Sequence, residues 1–334
     1  MVSESQFLFV REGPAEIARA LSGLGAKRVL VLAPPSRRFV EGLVAALAAF
    51  EPVVFDGAQV HVPAEVVAAA EAHLAETGAD TVVAIGGGSA IGLGKALRLH
   101  HPVRFVAIPT TYAGSEMTTL YGITRGREKT TGREPRVRPD IVIYDVAYTC
   151  DLPIALSVQS LLNAIAHVVS VLSTGSLAEV ERAEALAGAA TVLGAIEDLL
   201  VAPTDLGARE RALRGASACA VAADRGKPGA QHSLAHLLGG ALGIEHAALH
   251  AILLPQFVAH LRQAQPPLVV EIERALGRPG LDAYLYDLLV RAGSPASLDA
   301  LGAAAGSVEA ALATRPDLPA SIARDAQHGR RPAG

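Results

Sequence analysis

Through the first 150 residues, short runs of β-branched and aliphatic residues alternate with longer stretches whose apolar side chains recur every three or four positions. That alternation predicts a mostly parallel sheet covered by helices. The apolar runs predict strands at 28–32, 52–55, 81–85, 104–108 and 141–144, with helical spacing at 15–24, 37–50, 64–76 and 90–99. From residue 151 onward the strand signal stops, and Ala- and Leu-rich stretches such as 156–172 and 177–200 predict packed helices. The chain therefore reads as two domains, an α/β domain over 1–150 and an all-α domain over 151–334. Two segments interrupt the regularity: 112–139, rich in Gly, Thr and Arg, reads as loops or a small hairpin, and 225–250 as a helical segment dense in histidine. The tail after Pro316, closing in Gly329-Arg330-Arg331-Pro332-Ala333-Gly334, is expected to fray at its end.

Composition narrows the classes of function. With 334 residues, 51% hydrophobic and 19% charged, the chain is globular and long enough for a sizeable core. A net charge of −4 offers no basic field for nucleic acid or an anionic membrane, so a small-molecule partner is expected. The cysteines, Cys150 and Cys219, have no CxxC spacing and make neither a disulfide framework nor a zinc site. No uninterrupted apolar run reaches the roughly 18 residues of a membrane span, and residues 1–10 lack a basic segment before an apolar one. The cytoplasm is the expected compartment.

Gly86-Gly87-Gly88-Ser89 follows the strongest strand signal and opens a helix. Backbone amides at a helix N-terminus can hold a pyrophosphate, and three glycines with a serine favour that role over a plain turn, although GxGxxG is absent. Pro109-Thr110-Thr111-Tyr112-Ala113-Gly114-Ser115 follows the next strand, which sets its hydroxyls at the carboxyl edge of the same sheet. Arg125, Arg127, Lys129, Arg133, Arg136 and Arg138 crowd the projecting segment, where one or two guanidinium groups suit a phosphate or carboxylate. In the helical half, Asn163 and His167, His232 and His236, and His246 and His250 each stand four apart and share a helical face. Imidazoles so arranged bind divalent metals or move protons near neutral pH. Neither a GxSxG elbow nor a cysteine nucleophile motif appears.

Taken together, these motifs resemble the iron-containing alcohol dehydrogenase superfamily, whose fold is shared with dehydroquinate synthase-like enzymes. Within it they are most similar to maleylacetate reductases, through the stretch 86–95, the stretch from Ile108 to Thr118, and Lys129-Thr130-Thr131-Gly132-Arg133. The resemblance implies NADH or NADPH as cofactor, with Gly86, Gly87, Gly88 and Ser89 on the pyrophosphate, Thr110, Thr111 and Ser115 near the nicotinamide, and Lys129 on a ribose. Metal-binding members use Asp, His, His, His; the matching positions here are Asn163, His167, His232 and His246, while His236 matches a non-ligand histidine. With a neutral amide in place of the acid, no bound metal is expected. The reductase pattern around the histidines resembles His-His-Lys-x-Cys-His, but this chain has Gln231-His232-Ser233-Leu234-Ala235-His236. The expected function is an NAD(P)H-dependent reduction of an electron-poor enone or oxo-enoic acid by a cytoplasmic homodimer in aromatic-compound catabolism. His236 is the expected proton donor, His167, His232 and His246 orient substrate, and Asn163, Arg133 and Tyr112 contact it. The alternatives are a metal-dependent alcohol dehydrogenase and a non-redox or ligand-binding relative in secondary metabolism.

Overall fold

Val, Ile and Leu at consecutive positions suit strands buried on both faces, and the four strands at the centre of the first unit's sheet are of this kind, while its two edge strands are less buried. The computed structural model describes residues 6–10, 13–126 and 128–334, without the side chain of Lys129. It divides into two units, Met1–Asp151 and Leu152–Gly334. The strands are β1 (Gln6–Val10), β2 (Val29–Leu32), β3 (Val53–Phe55), β4 (Thr81–Gly86), β5 (Arg104–Pro109), β6 (Leu120–Arg125), β7 (Glu128–Arg133) and β8 (Ile141–Asp145). Six form one parallel sheet in the order β1-β8-β5-β4-β2-β3. The other two, β6 and β7, pair antiparallel as the expected hairpin.

Helices α1 (Pro14–Leu24), α2 (Val40–Ala46), α3 (Ala64–Thr77), α4 (Gly88–His100) and the short α5 (Ala147–Cys150) complete this unit. Strand β4 is buried throughout. Its Val82 and Ala84 pack with Val66 of α3 and Leu97 of α4, and its Val83 and Ile85 with Ile17 of α1 and Leu43 of α2 on the other face. Because β3 lies on one side of β2 and β4 returns to the other, the strand order reverses between β2 and β4. Open parallel sheets bind ligands at the carboxyl ends beside such a reversal.

The second unit holds helices α6 (Ile154–Leu172), α7 (Glu179–Val201), α8 (Leu206–Arg225), α9 (Ala230–Leu242), α10 (His246–Ala264), α11 (Pro266–Leu276), α12 (Leu281–Arg291), α13 (Ala305–Ala313) and α14 (Ala320–Gln327). Helix α6 is long and apolar enough to cross a membrane by length and composition, with a mean hydropathy of 1.7, but 78% of that window is buried in the protein. A helix apolar all round needs burial on every side, and here its neighbours supply it.

Four expectations change. The helix at 37–50 shrinks to α2 and a 3₁₀ turn at Ala48–Phe50, with Arg37 and Phe39 at φ 50° and 67°, outside helical geometry. Strand β1 was not expected; its short apolar run becomes a strand only through pairing with β8. The segment 225–250 is not one helix: Gly243, at φ 68°, ends α9 in the left-handed conformation, so His246 and His250 belong to α10. The tail does not fray. The Arg331 guanidinium grips Asp287 through two contacts of 2.7 Å, and the Arg330 carbonyl accepts from Gln256 at 2.6 Å.

Candidate functional site

In the first unit the site grows from the turn between β4 and α4. Gly86 closes it at φ 148°, where L side chains are strained. A Cβ there would also stand 3.0 Å from the Ala90 methyl and 3.3 Å from the Pro34 ring. Gly87 approaches the next loop so closely that a Cβ would lie 3.1 Å from the Thr111 methyl, and the Thr110 N–H donates to the Gly86 carbonyl at 3.0 Å. Helix α4 begins with no side-chain cap. Its first-turn amides, which have no acceptor within the helix, border a surface where a Cβ on exposed Gly88 would meet nothing within 4 Å. Donors at the positive end of a helix, beside the reversal in strand order, form a place for an anion.

The second loop is fastened from below. The buried Lys95 of α4 donates to Thr118 Oγ1 at 2.9 Å and to the Leu120 carbonyl at 2.7 Å. The Tyr144 hydroxyl donates to the buried Glu116 at 3.0 Å, and burial raises the Glu116 carboxyl above its usual range. Thr110, Thr111 and Ser115 remain half-buried, Tyr112 is buried, and Arg133 is exposed on β7. Lys129 stands opposite Thr124 in the hairpin, but its side chain lies outside the described residues, as does Arg127.

The second unit gathers five imidazoles from three helices: His167 from α6, His232 and His236 from α9, His246 and His250 from α10. Nearest ring centroids range from 4.2 Å for His246 and His250 to 6.0 Å for His167 and His246. His232 Nδ1 lies 3.2 Å from His167 Nδ1, and His232 Nε2 lies 2.8 Å from His236 Nε2, so three rings make a hydrogen-bonded chain. Burial, then the charge of His236, lowers His167 to about 4. Burial, followed by the surrounding imidazoles, holds His250 well below the usual histidine value. Sequence reasoning paired His250 with His246 but left it out of the site; helical spacing was the available signal, and the packing of α10 on α6 brings it in.

The donor set fits a divalent ion. One donor atom from each of His167, His232, His246 and His250 falls within 4.8 Å of the others, and nitrogens around a tetrahedral ion at about 2.1 Å are roughly 3.4 Å apart. His250 Nε2 and Asn163 Oδ1 are buried with no hydrogen-bond partner. The expectation of no metal rested on the missing acid at Asn163; the fourth imidazole removes that basis, because nitrogen donors suit zinc, iron or copper.

Two family models match the chain: iron-containing alcohol dehydrogenase over residues 5–146, and the C-terminal part of the Fe-containing alcohol dehydrogenase family over 157–315. Maleylacetate reductase 1 of Cupriavidus pinatubonensis is 43% identical over 86% of this chain and 81% of its own length. A maleylacetate reductase of Pseudomonas aeruginosa is 40% identical over 96% of both chains. The crystal structure of maleylacetate reductase from Agrobacterium tumefaciens superposes with a TM-score of 0.90 at 35% identity, covering 99% of this chain and 98% of that one.

Two measurements follow from this geometry. The Gly88→Val variant is expected to fold, since its Cβ meets no protein atom within 4 Å, and to bind NADH and NADPH at least about 10-fold more weakly by calorimetry, the scale of a lost anion contact. An unchanged dissociation constant in a folded variant would remove the anion site from this turn. The second concerns pH. His167 is lowered to about 4 in the fold from 6.5, so between those values the unfolded chain binds the extra proton and stability rises with pH. Metal-free protein should lose up to roughly 3 kcal/mol from this group as pH falls from 7 to 4. His167→Gln should flatten that slope in urea titrations, and an equal slope in both proteins would refute the assignment.

Proposed function

The chain belongs to the iron-containing alcohol dehydrogenase family, and we propose that within it this protein is an NAD(P)H-dependent reductase of the maleylacetate reductase kind, acting on a carbon–carbon double bond conjugated to a ketone. The observation that carries the reading is the likeness to maleylacetate reductases along nearly the whole chain. In this reading the first unit is the dinucleotide domain and the second the substrate domain. Gly86, Gly87, Gly88 and Ser89 hold the pyrophosphate, Thr110, Thr111 and Ser115 border the nicotinamide, Lys129 meets a ribose, and Arg133 meets a substrate carboxylate.

The chemistry balances with one proton taken up from solvent. A hydride leaves the reduced nicotinamide and forms a C–H bond at the alkene carbon β to the ketone. The π electrons shift to give an enolate, and a proton then adds at the α carbon. His236 gives that proton, and its hydrogen bond to His232, continued to His167, lets a replacement pass along the chain of rings. His167, lowered to about 4, stays neutral at pH 7 and can both donate and accept. Neutral N–H groups facing the enolate oxygen offset its developing charge. A divalent ion held by His167, His232, His246 and His250 would, when bound, supply Lewis-acid polarisation of the carbonyl.

A second reading, a metal-dependent alcohol dehydrogenase, is favoured by the four-imidazole donor set. The two separate in one assay: NADH and NADPH oxidation against maleylacetate and other 4-oxo-2-enoic acids, beside NAD⁺-driven oxidation of primary alcohols, each before and after chelation. Turnover of the oxo-enoic acids is expected. Alcohol oxidation alone, abolished by chelator, would replace the first reading by the second. His236→Asn should cut kcat by roughly 10²-fold while the cofactor dissociation constant stays near wild type; a folded variant with full turnover would end the proton-donor role.

A further inference from the structure

One member of the histidine cluster has its tautomer set from outside. Gln231, fully buried at the start of α9, meets His250 of α10 twice. Its amide nitrogen Nε2 donates to the His250 backbone carbonyl at 3.2 Å, and its Oε1 lies 3.0 Å from His250 Nδ1. A backbone carbonyl only accepts, so the amide nitrogen must face it and the amide oxygen must face the ring. That oxygen also only accepts, which requires the hydrogen of neutral His250 to sit on Nδ1. Nε2 then keeps its lone pair. This nitrogen is buried and has no hydrogen-bond partner, and His250 is one of the four imidazoles whose donor atoms lie within 4.8 Å of one another.

We propose that Gln231 is a positioning residue that holds His250 in the Nδ1–H tautomer and so presents a bare Nε2 to a divalent cation within the four-imidazole set. The other tautomer would turn an N–H toward the same space, where it can neither ligate a cation nor accept a proton. His232 contrasts with it: both of its nitrogens meet other imidazoles, whose own protons are free to rearrange. Gln231 therefore fixes a polarity that the rings by themselves leave open, as partners behind metal-ligating histidines do in general. The proposal deepens the proposed function and rests on the same cluster, but its test does not use turnover.

Two experiments on the full chain decide it. In wild-type protein labelled with ¹⁵N-histidine and freed of metal, long-range ¹H–¹⁵N correlation distinguishes protonated from bare ring nitrogens, and His250→Gln identifies the resonances. Nδ1 protonated with Nε2 bare is expected; the reverse tautomer overturns the proposal. In the second, Co²⁺ binding is followed by its visible spectrum in wild type, Gln231→Met, His250→Ala and the double variant. Gln231→Met should weaken binding by about 10- to 100-fold, and the double variant should bind no more weakly than His250→Ala alone, because Gln231 acts through His250. Additive losses, wild-type affinity in a folded Gln231→Met protein, or no cobalt binding by wild type would each overturn it. Oxo-enoic acid reduction absent from a protein with the expected tautomer and cobalt affinity would defeat the reductase reading alone.

Discussion

Five imidazole rings with neighbouring centroids only 4.2–6.0 Å apart cannot all carry charge, and that constraint governs the second unit. Two protonated rings about 5 Å apart repel by roughly 3 kcal/mol at an effective dielectric of 20, before any cost of burial is counted. At neutral pH the cluster is therefore held mostly as neutral rings, each with one N–H and one lone pair, and its chemistry depends on where those few protons sit. His167 and His250, whose charged forms burial disfavours most clearly, are fixed in that neutral state. The result is a place able to pass a proton or to ligate a cation, with no carboxylate in the described set.

The first unit solves a different problem by different means. Its candidate anion surface is backbone: the amides of the uncapped first turn of α4, where a Cβ on Gly88 would meet nothing within 4 Å. A helix end of this kind attracts a phosphate. The buried Lys95 works beneath the loop that follows β5, where its two hydrogen bonds hold Thr118 and Leu120. Division of labour follows from chemistry. In the proposed reaction a pyrophosphate is already charged and needs only oriented donors, whereas an enolate forms on the way and needs a proton delivered to it.

Much of this was legible in the chain. The continuous apolar runs that became β2, β4, β5 and β8 announce strands buried on both faces, and Gly86 to Ser89 announces the turn from β4 into α4. Four-residue spacing put His232 with His236 and His246 with His250. What spacing could not supply was the break at Gly243, since a glycine inside a helical pattern can either be tolerated or end it. The tail misled for a related reason: polar, Arg-rich composition resembles a solvated end, and partners distant in sequence, among them Asp287, Gln256 and Tyr286, hold it.

Periodicity and local motif are properties of neighbours along the chain, so the sequence by itself determined the two-unit architecture, the parallel sheet, the glycine turn and the pairing of histidines within each helix. Which helices meet depends on side chains scores of residues apart, and that was decided by packing. Tertiary structure alone joined His167 to His232, 65 positions away, and brought Gln231 against His250 on the next helix, 19 positions on. It thereby made His250 a member of the cluster and gave one of its nitrogens a defined proton. A tautomer is set by the partner on the far side of the ring, and no spacing rule names that partner before the helices are packed.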